Sequence, residues 1–300
     1  MTDKHVPVLL QETIDSLDLY PGEIFVDGTV GSGGHSSAVA RMFGDSVQII
    51  GLDRDMGAIS RSQKKLSEVS KNFLLENESF KNLDQVLNKI GVDKVDAILL
   101  DLGISSNQLE ESGRGFTFQK DEPLLMTMSE SSKEGELTAS IILNTWDEDT
   151  LELILRGFGE EKSSKRIARA IVEKRESKPF QTTFDLVNII QGAVGGAKFG
   201  KINPSTKTFQ ALRIAVNEEL SALTLGLQKS FESLKSGGRL SVISFHSLED
   251  RIVKNYFREL SDTNLARLIN KKPIVASDEE TESNPRSRSA KLRIIQKYDL

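Results

Sequence analysis

Cysteine is absent from the 300 residues. That excludes a disulfide framework, a thiolate zinc site and a cysteine nucleophile. Histidine is scarce: His5, His35 and His246 are the only three, too far apart in sequence to suggest a metal site. No metal is expected. No apolar run approaches the ~18 residues needed to cross a bilayer, so no membrane partner is expected. Where a signal peptide would carry its apolar stretch, the chain has Asp3, Lys4, Gln11 and Glu12. The expected location is cytoplasmic. With 38% hydrophobic and 28% charged residues, the composition is that of a soluble globular chain, long enough for one large domain or two ordinary ones.

The net charge of −5 argues against a nucleic-acid partner, but the average hides an asymmetry. Between Arg156 and Arg213 stand twelve Lys/Arg and five Asp/Glu, so that stretch carries +7 and the rest carries −12. A basic segment on an acidic body suggests a localised polyanion-binding face; a solvated helix surface is the plainer alternative.

The first hundred residues alternate strand-like and helix-like stretches. Ile24 to Val26 runs into Asp27-Gly28-Thr29-Val30-Gly31-Ser32-Gly33-Gly34, and a helical stretch follows to Phe43. Val47 to Leu52 ends at Asp53, Phe73 to Leu75 is a third strand, and Val95 to Leu100 ends at Asp101. Repeated units of this kind predict an α/β fold with a doubly wound parallel sheet. The rhythm stops from about Ser112 to Asn203, where helical patterns dominate, and strand character returns at Arg239 to Phe245 after a Ser236-Gly237-Gly238 turn. Phe209, Leu212, Val216, Leu220, Leu223, Leu227 and Phe231 step by three or four, predicting one long amphipathic helix. The expected division is an α/β domain over 1–111 and 206–300 with a helical insertion over 112–205. Ser277 to Arg288 reads as a loop and Leu292 to Tyr298 as a final edge strand.

In such a sheet, ligands bind beyond the carboxyl ends of the strands. The glycine-rich turn, with Gly33 and Gly34, lets backbone approach a ligand. Asp53 ends the second strand, where an acid accepts both ribose hydroxyls. Phe80 stands where an aromatic covers an adenine face, core packing being its competing role. Asp101 ends the fourth strand. A turn plus an acid at the second strand end suits an adenosine-containing cofactor, either a nicotinamide dinucleotide or S-adenosylmethionine. The dinucleotide fingerprint fails, because its last glycine would be Ser36, and Asp27 is unwelcome beside a pyrophosphate but suits a methionyl amine. S-adenosylmethionine is favoured. For His35, a cofactor-facing residue just after the turn, the plainer alternative is a side chain that simply caps the following helix and leaves the backbone to face the cofactor.

Over nearly its whole length the chain resembles the bacterial 16S ribosomal RNA (cytosine-N4)-methyltransferases of the RsmH/MraW type. The blocks that carry the likeness include His5-Val6-Pro7-Val8-Leu9-Leu10, the glycine-rich turn, Asp101-Leu102-Gly103-Ile104-Ser105-Ser106-Asn107-Gln108-Leu109, Ser244-Phe245-His246-Ser247-Leu248-Glu249-Asp250-Arg251 and Asn284-Pro285-Arg286-Ser287-Arg288-Ser289. The resemblance implies a Rossmann-like methyltransferase core with an inserted helical substrate-recognition domain. It also implies methylation of one cytidine amine near the decoding centre, with 16S rRNA or the small ribosomal subunit as partner. The family's cofactor contacts carry over to Gly33, Gly34, His35, Asp53, Phe80, Asp101 and Gln108. One segment departs: two acids and an arginine of the family pattern are replaced by Leu125, Ser129 and Thr127.

Methylation at cytosine C5 would use a thiolate, which this chain lacks; an exocyclic amine needs alignment and a hydrogen-bond acceptor instead. Asp101 is the candidate acceptor, with cofactor contact as its other role, and His246 and Glu249 are second candidates. Lys162, Lys165, Arg166 and Arg169 share one helical face opposite Ile167, Ala168 and Ile171, a stripe suited to a phosphate backbone. Two other readings stay open: a nicotinamide-dependent oxidoreductase, and a non-catalytic ribosome-assembly factor.

Overall fold

The computed structural model describes residues 6–129, 135–194 and 203–298; His5 lies outside them. Seven strands form one sheet: β1 Ile24–Asp27, β2 Gln48–Leu52, β3 Phe73–Glu76, β4 Val95–Asp101, β5 Leu234–Ser244, β6 Ala266–Leu268 and β7 Lys291–Lys297, in the order β3-β2-β1-β4-β5-β7-β6. β1 to β5 pair in parallel, while β7 runs antiparallel to β5 and β6 antiparallel to β7. The helices, in chain order, are α1 Leu10–Leu17, α2 Gly34–Phe43, α3 Met56–Leu66, α4 Leu83–Lys89, α5 Ser106–Glu110, α6 Ala139–Thr145, α7 Glu148–Gly157, α8 Ser164–Arg175 and α9 Thr183–Val194. α10 Ser205–Asn217, α11 Glu219–Ser233, α12 Ser247–Asp262 and α13 Asp278–Ser283 complete the set.

The chain divides into two compact units, residues 1–103 with 220–300 and residues 104–219. In the first, the sheet is covered on both faces, which is why its strands read as nearly unbroken apolar runs. Side chains alternate along β4. Ile98 and Leu100 join Leu83 of α4, Leu227 of α11 and Val253 of α12 in one core. Ala97 and Leu99 join Leu17 of α1, Val39 of α2 and Leu66 of α3 in another. The second unit has its own core, in which Leu143, Leu155, Ile167, Ile171, Ile190 and Leu212 are all buried.

Five sequence expectations need correction. The long helix is two, α10 and α11, broken at Glu218, whose backbone is left-handed at φ 52°. The hydrophobic period runs through the break because both helices bury apolar faces, and periodicity does not register a single left-handed residue. The unit boundaries therefore fall at 103/104 and 219/220 rather than at 111/112 and 205/206, since Phe209 and Leu212 of α10 pack into the insertion's core. Leu292 to Tyr298 is no edge strand: β7 lies between β5 and β6, and Leu292 and Ile295 are fully buried. The stretch read as a loop holds α13, capped by Ser277 on the Glu280 amide, and a 3-10 turn over Pro285–Ser289. The Ser236-Gly237-Gly238 turn is a bulge inside β5, where Val95 pairs with Leu234 but Ala97 with Arg239.

Candidate cofactor site and cationic helix

Strand order reverses between β1 and β4, because β1 leads through α2 to β2 on one side while β4 lies on the other. The carboxyl ends of these two strands are the ligand crevice of this topology. Asp27 ends β1 and Asp101 ends β4, and their strands are in register through Asp27 and Leu99. Asp27 is buried, accepting hydrogen bonds from Ser36 Oγ at 2.6 Å and the Thr29 amide at 3.2 Å. Burial nonetheless pushes its carboxyl up to about 6. The Asp101 amide is bonded to Thr29 Oγ1 at 2.6 Å, which fixes the backbone here. Its carboxyl Oδ1 is enclosed and has no hydrogen-bond partner, an expensive arrangement in the absence of a ligand. Desolvation, reinforced by the like charges of Asp27 and Glu249, raises this carboxyl to about 8.

His35 does not cap α2. Its Nε2 lies 3.1 Å from the Val8 carbonyl, and its Nδ1 lies 3.7 Å from Asp101 Oδ2. The ring is drawn away from the helix end by the Val6-Pro7-Val8 segment, which lies against the glycine-rich turn. A Cβ on Gly34 would meet Pro7 Cγ at 2.4 Å, and one on Gly33, at φ 73°, would meet Ser62 Cβ of α3 at 3.2 Å. Gly34 is thus required by packing on its Cβ side, and Gly33 by its left-handed backbone together with the close approach of Ser62. α2 starts without a side-chain cap, leaving its first-turn amides as the donors that this turn offers. The stretch at residues 6–10 belongs to a block that carries the family likeness, but no periodicity reveals its role as a wall, because its contacts are one ring and one carbonyl.

Asp53 follows β2, but both carboxylate oxygens are already engaged, Oδ2 by the Gly31 amide and Oδ1 by the Asp55 amide, each at 2.9 Å. Burial raises this carboxyl to about 6 against those bonds. Each oxygen keeps a second lone pair, so the acid holds the turn and still offers acceptors to a ligand. Phe80, half-buried, packs against the core below: a Cβ on Gly226 of α11 would lie 2.2 Å from its Cδ2. Its ring is therefore held on one side by α11. His246 and Glu249 cap α12 reciprocally, the Glu249 amide donating to His246 Nδ1 at 3.3 Å while Glu249 Oε2 accepts from the Phe245 amide at 2.9 Å. The sequence assigned these two no cap, although the spacing of a capping box is legible there.

In the second unit, Gln108 completes a capping box on α5, its Oε1 accepting from the Ser105 amide at 3.0 Å. α8 divides as its spacing predicts: Lys165, Arg166 and Arg169 are exposed, as is Lys162 in the turn before the helix, and Ile167, Ala168 and Ile171 are buried. The stripe is not equally available. Arg166 donates to the Ala193 carbonyl at the end of α9, and Arg169 pairs with Glu173 at 2.8 Å. Among the described residues, Lys162 and Lys165 have neither a hydrogen bond nor an ion pair through their side chains. Other cations counted in the basic segment are structural. Arg213 makes a two-pronged pair with Glu219, both contacts 2.8 Å, and Arg175 donates to the Leu143 carbonyl at 3.1 Å.

The departing segment is ordered without its missing charges. Arg114 Nη1 donates to the Thr127 and Met128 carbonyls at 3.0 and 2.9 Å, and Asn217 bonds the Met126 carbonyl at 2.7 Å and the Met128 amide at 2.8 Å. These bonds reach the main chain, and the Thr127 hydroxyl adds a further one by donating to the Ser129 carbonyl at 3.2 Å.

The profile of the MraW methylase family matches residues 2–298. The chain is 44% identical over 315 residues to the ribosomal RNA small subunit methyltransferase H of Ruminiclostridium cellulolyticum, covering 99% of this chain and 100% of that one. It is 43% identical over 314 residues to the protein of the same name from Heliobacterium modesticaldum, covering 99% of each. A solved rRNA methylase from Streptococcus thermophilus gives a TM-score of 0.48 at 11% identity, across 98% of this chain and 99% of that one, too remote to add to the sequence match. With a full-length family match and a parallel sheet whose reversal point carries these acids, the chain belongs to the MraW methylase family and is an S-adenosylmethionine-dependent methyltransferase.

Proposed function

We propose that this enzyme methylates the exocyclic N4 amine of one cytidine in 16S ribosomal RNA, near the decoding centre and in the cytoplasm. The observation that carries the substrate class is the 44% identity, over the whole length, to a protein named for methylation of small-subunit rRNA. Absence of cysteine supports the position, since attack by carbon C5 would need a thiolate that the chain does not have.

The bound cofactor supplies an electrophilic methyl group. The protein's share is to orient, exclude water and accept a hydrogen bond. Asp53 offers its remaining lone pairs to the ribose, the Gly33-Gly34-His35 backbone opens α2 towards the carboxylate, and Phe80 borders the adenine. Gln108, its Oε1 engaged in the cap, completes the proposed cofactor set. Asp101 faces the cofactor and is the candidate acceptor for the target amine, because Oδ1 is enclosed with no partner. An acceptor strengthens as positive charge develops on nitrogen, which favours the transition state over the ground state. Lys165, Arg166 and Arg169 follow the RNA backbone.

Mass spectrometry of 16S rRNA tests this directly. A strain lacking the gene should lose one N4-methylcytidine, restored by the parent gene and not by an Asp101→Ala copy. An unchanged methylation pattern in the deletion strain would refute the substrate assignment. Full restoration by Asp101→Ala would remove Asp101 from the chemistry.

A further inference from the structure

Three acids meet at the carboxyl ends of β1, β4 and β5, where Glu249 Oε1 lies 3.2 Å from His246 Nε2 while Asp101 Oδ1 has no partner. Asp27 comes from β1, Asp101 from β4, and Glu249 from the first turn of α12, which follows β5; Asp27 and Glu249 both act on Asp101 as like charges. Among the described residues, the titratable groups that face Asp101 are these two and His35 from α2. Asp27 has hydroxyl and amide donors, and Glu249 has the amides of the α12 cap. Asp101 has neither on its carboxyl: Oδ1 is enclosed and unpartnered, and Oδ2 looks at His35 Nδ1 from 3.7 Å. The tautomer of that ring follows from its other nitrogen. A carbonyl only accepts, so Nε2, 3.1 Å from the Val8 oxygen, carries the hydrogen. Nδ1 is then the ring position that gains or gives up a proton towards Asp101.

An anionic Asp101 in this setting is unbalanced, and the bound ligand brings positive charge in its sulfonium and its amine. We propose that the cofactor-free enzyme holds one proton on the Asp101–His35 pair, and that binding of S-adenosylmethionine expels this proton to solvent. Charge balances: the cation that arrives replaces the proton that leaves. The proton belongs to the pair, whether written as carboxyl and neutral imidazole or as carboxylate and imidazolium. The same exchange leaves Asp101 ionised only when the methyl donor is in place, so the acceptor for the amine is readied by the cofactor. His35, fixed by Val8, is a positioning residue in this scheme. The inference rests on the assignment of Asp101 to the cofactor side of the site.

The position of the Asp101 titration, near 8, sets the window. At pH 7 an Asp101 carboxyl titrating near 8 is protonated about ten to one, whereas Asp27 and Asp53, near 6, are mostly ionised. The experiment is calorimetric titration of the full-length enzyme with S-adenosylmethionine at pH 7, in buffers of different ionisation enthalpy, which counts protons. About one proton should leave per cofactor bound, and Asp101→Asn should abolish most of that release. Independently, parent affinity should rise up to about tenfold per pH unit below 8 and level off above it. Binding by the parent without proton release, or with a pH-independent affinity, overturns the proposal while the cofactor assignment stands. Equal release by a folded Asp101→Asn variant overturns it too. An Asp101→Asn variant with parental affinity instead removes Asp101 from the cofactor site. Should that variant not fold, infrared difference spectra of the parent decide: cofactor must change the protonation signature of a carboxyl or an imidazole, and an unchanged spectrum refutes the exchange.

Discussion

The acids at the strand ends and the cations of α8 are both clusters of charge, and they differ in what surrounds them. Asp27 is buried and Asp101 is half-buried with its Oδ1 enclosed, and their carboxyls rise to about 6 and about 8. Lys165, Arg166 and Arg169 stand in solvent, where Arg169 spends its charge on Glu173 one turn away. Low dielectric makes a nearby ligand's charge decisive for the acids. Solvent and salt reduce each cation to a small contribution whose value lies in number and in steering. Within α8 the same contrast repeats from face to face, with Ile167 buried and Arg166 exposed.

That internal contrast gives the largest expected effect. Ile167→Ala deletes a fully buried side chain from the insertion's core and should cost about 2–5 kcal/mol of stability, read by urea unfolding. A loss under about 1 kcal/mol would mean that α8 is not anchored through this face. Next comes Asp53. Replacement by Ala removes an acceptor of two backbone amides and of the ribose, and should weaken S-adenosylmethionine by roughly 1.5–3 kcal/mol, about ten- to a hundred-fold by calorimetry. Unchanged affinity in a folded variant would leave Asp53 as a turn residue only.

These two regions were unequally legible in the sequence. The sheet is readable because parallel strands buried on both faces are apolar runs, and acids mark where those runs stop: Asp27, Asp53 and Asp101 are all legible this way. α8 was readable because one face alternates with the other at helical spacing. What escaped was set by single backbone states or by long-range main-chain contacts. Glu218 turns left-handed inside an unbroken apolar period, β7 takes an interior place behind a short β6, and His35 is turned aside by the carbonyl of Val8. The +7 of the basic segment likewise says nothing of which cations hold carbonyls, as Arg175 does, and which face solvent.

The pH dependence of stability separates the acid cluster from any surface charge. Asp101 titrates at 3.8 when unperturbed and at about 8 in the folded, cofactor-free chain. The folded state therefore binds this proton more tightly; the resulting stability is complete below about pH 4 and is lost as pH rises through about 8. Between pH 6 and pH 8 the unfolded carboxyl is ionised and the folded one still protonated, so stability should fall by about 2 kcal/mol. Saturating cofactor should flatten the slope, and Asp101→Asn should remove it. A slope of the same size in that variant would assign the linkage elsewhere.

The smallest effect tests the exposed side of the comparison, and it needs a control that behaves in the opposite way. Arg166→Gln with Arg169→Gln removes two exposed cations, one bonded to the Ala193 carbonyl and one paired with Glu173, so stability should move by no more than about 0.5 kcal/mol. If each contacts a phosphate of single-stranded RNA, the pair releases fewer counterions, and the logarithmic salt slope of binding should become shallower by about 1.4. Cofactor affinity should not change. Arg175→Gln lies on the same helix but takes away a donor to the Leu143 and Trp146 carbonyls, so it should lower stability and leave the salt slope as it was. Filter binding of 16S rRNA fragments across a salt series, beside urea unfolding, reads both quantities. A double variant that keeps the parental salt slope would make the α8 stripe an ordinary solvated face. If Arg175→Gln alone lowers the slope, the RNA path runs along the other side of the helix.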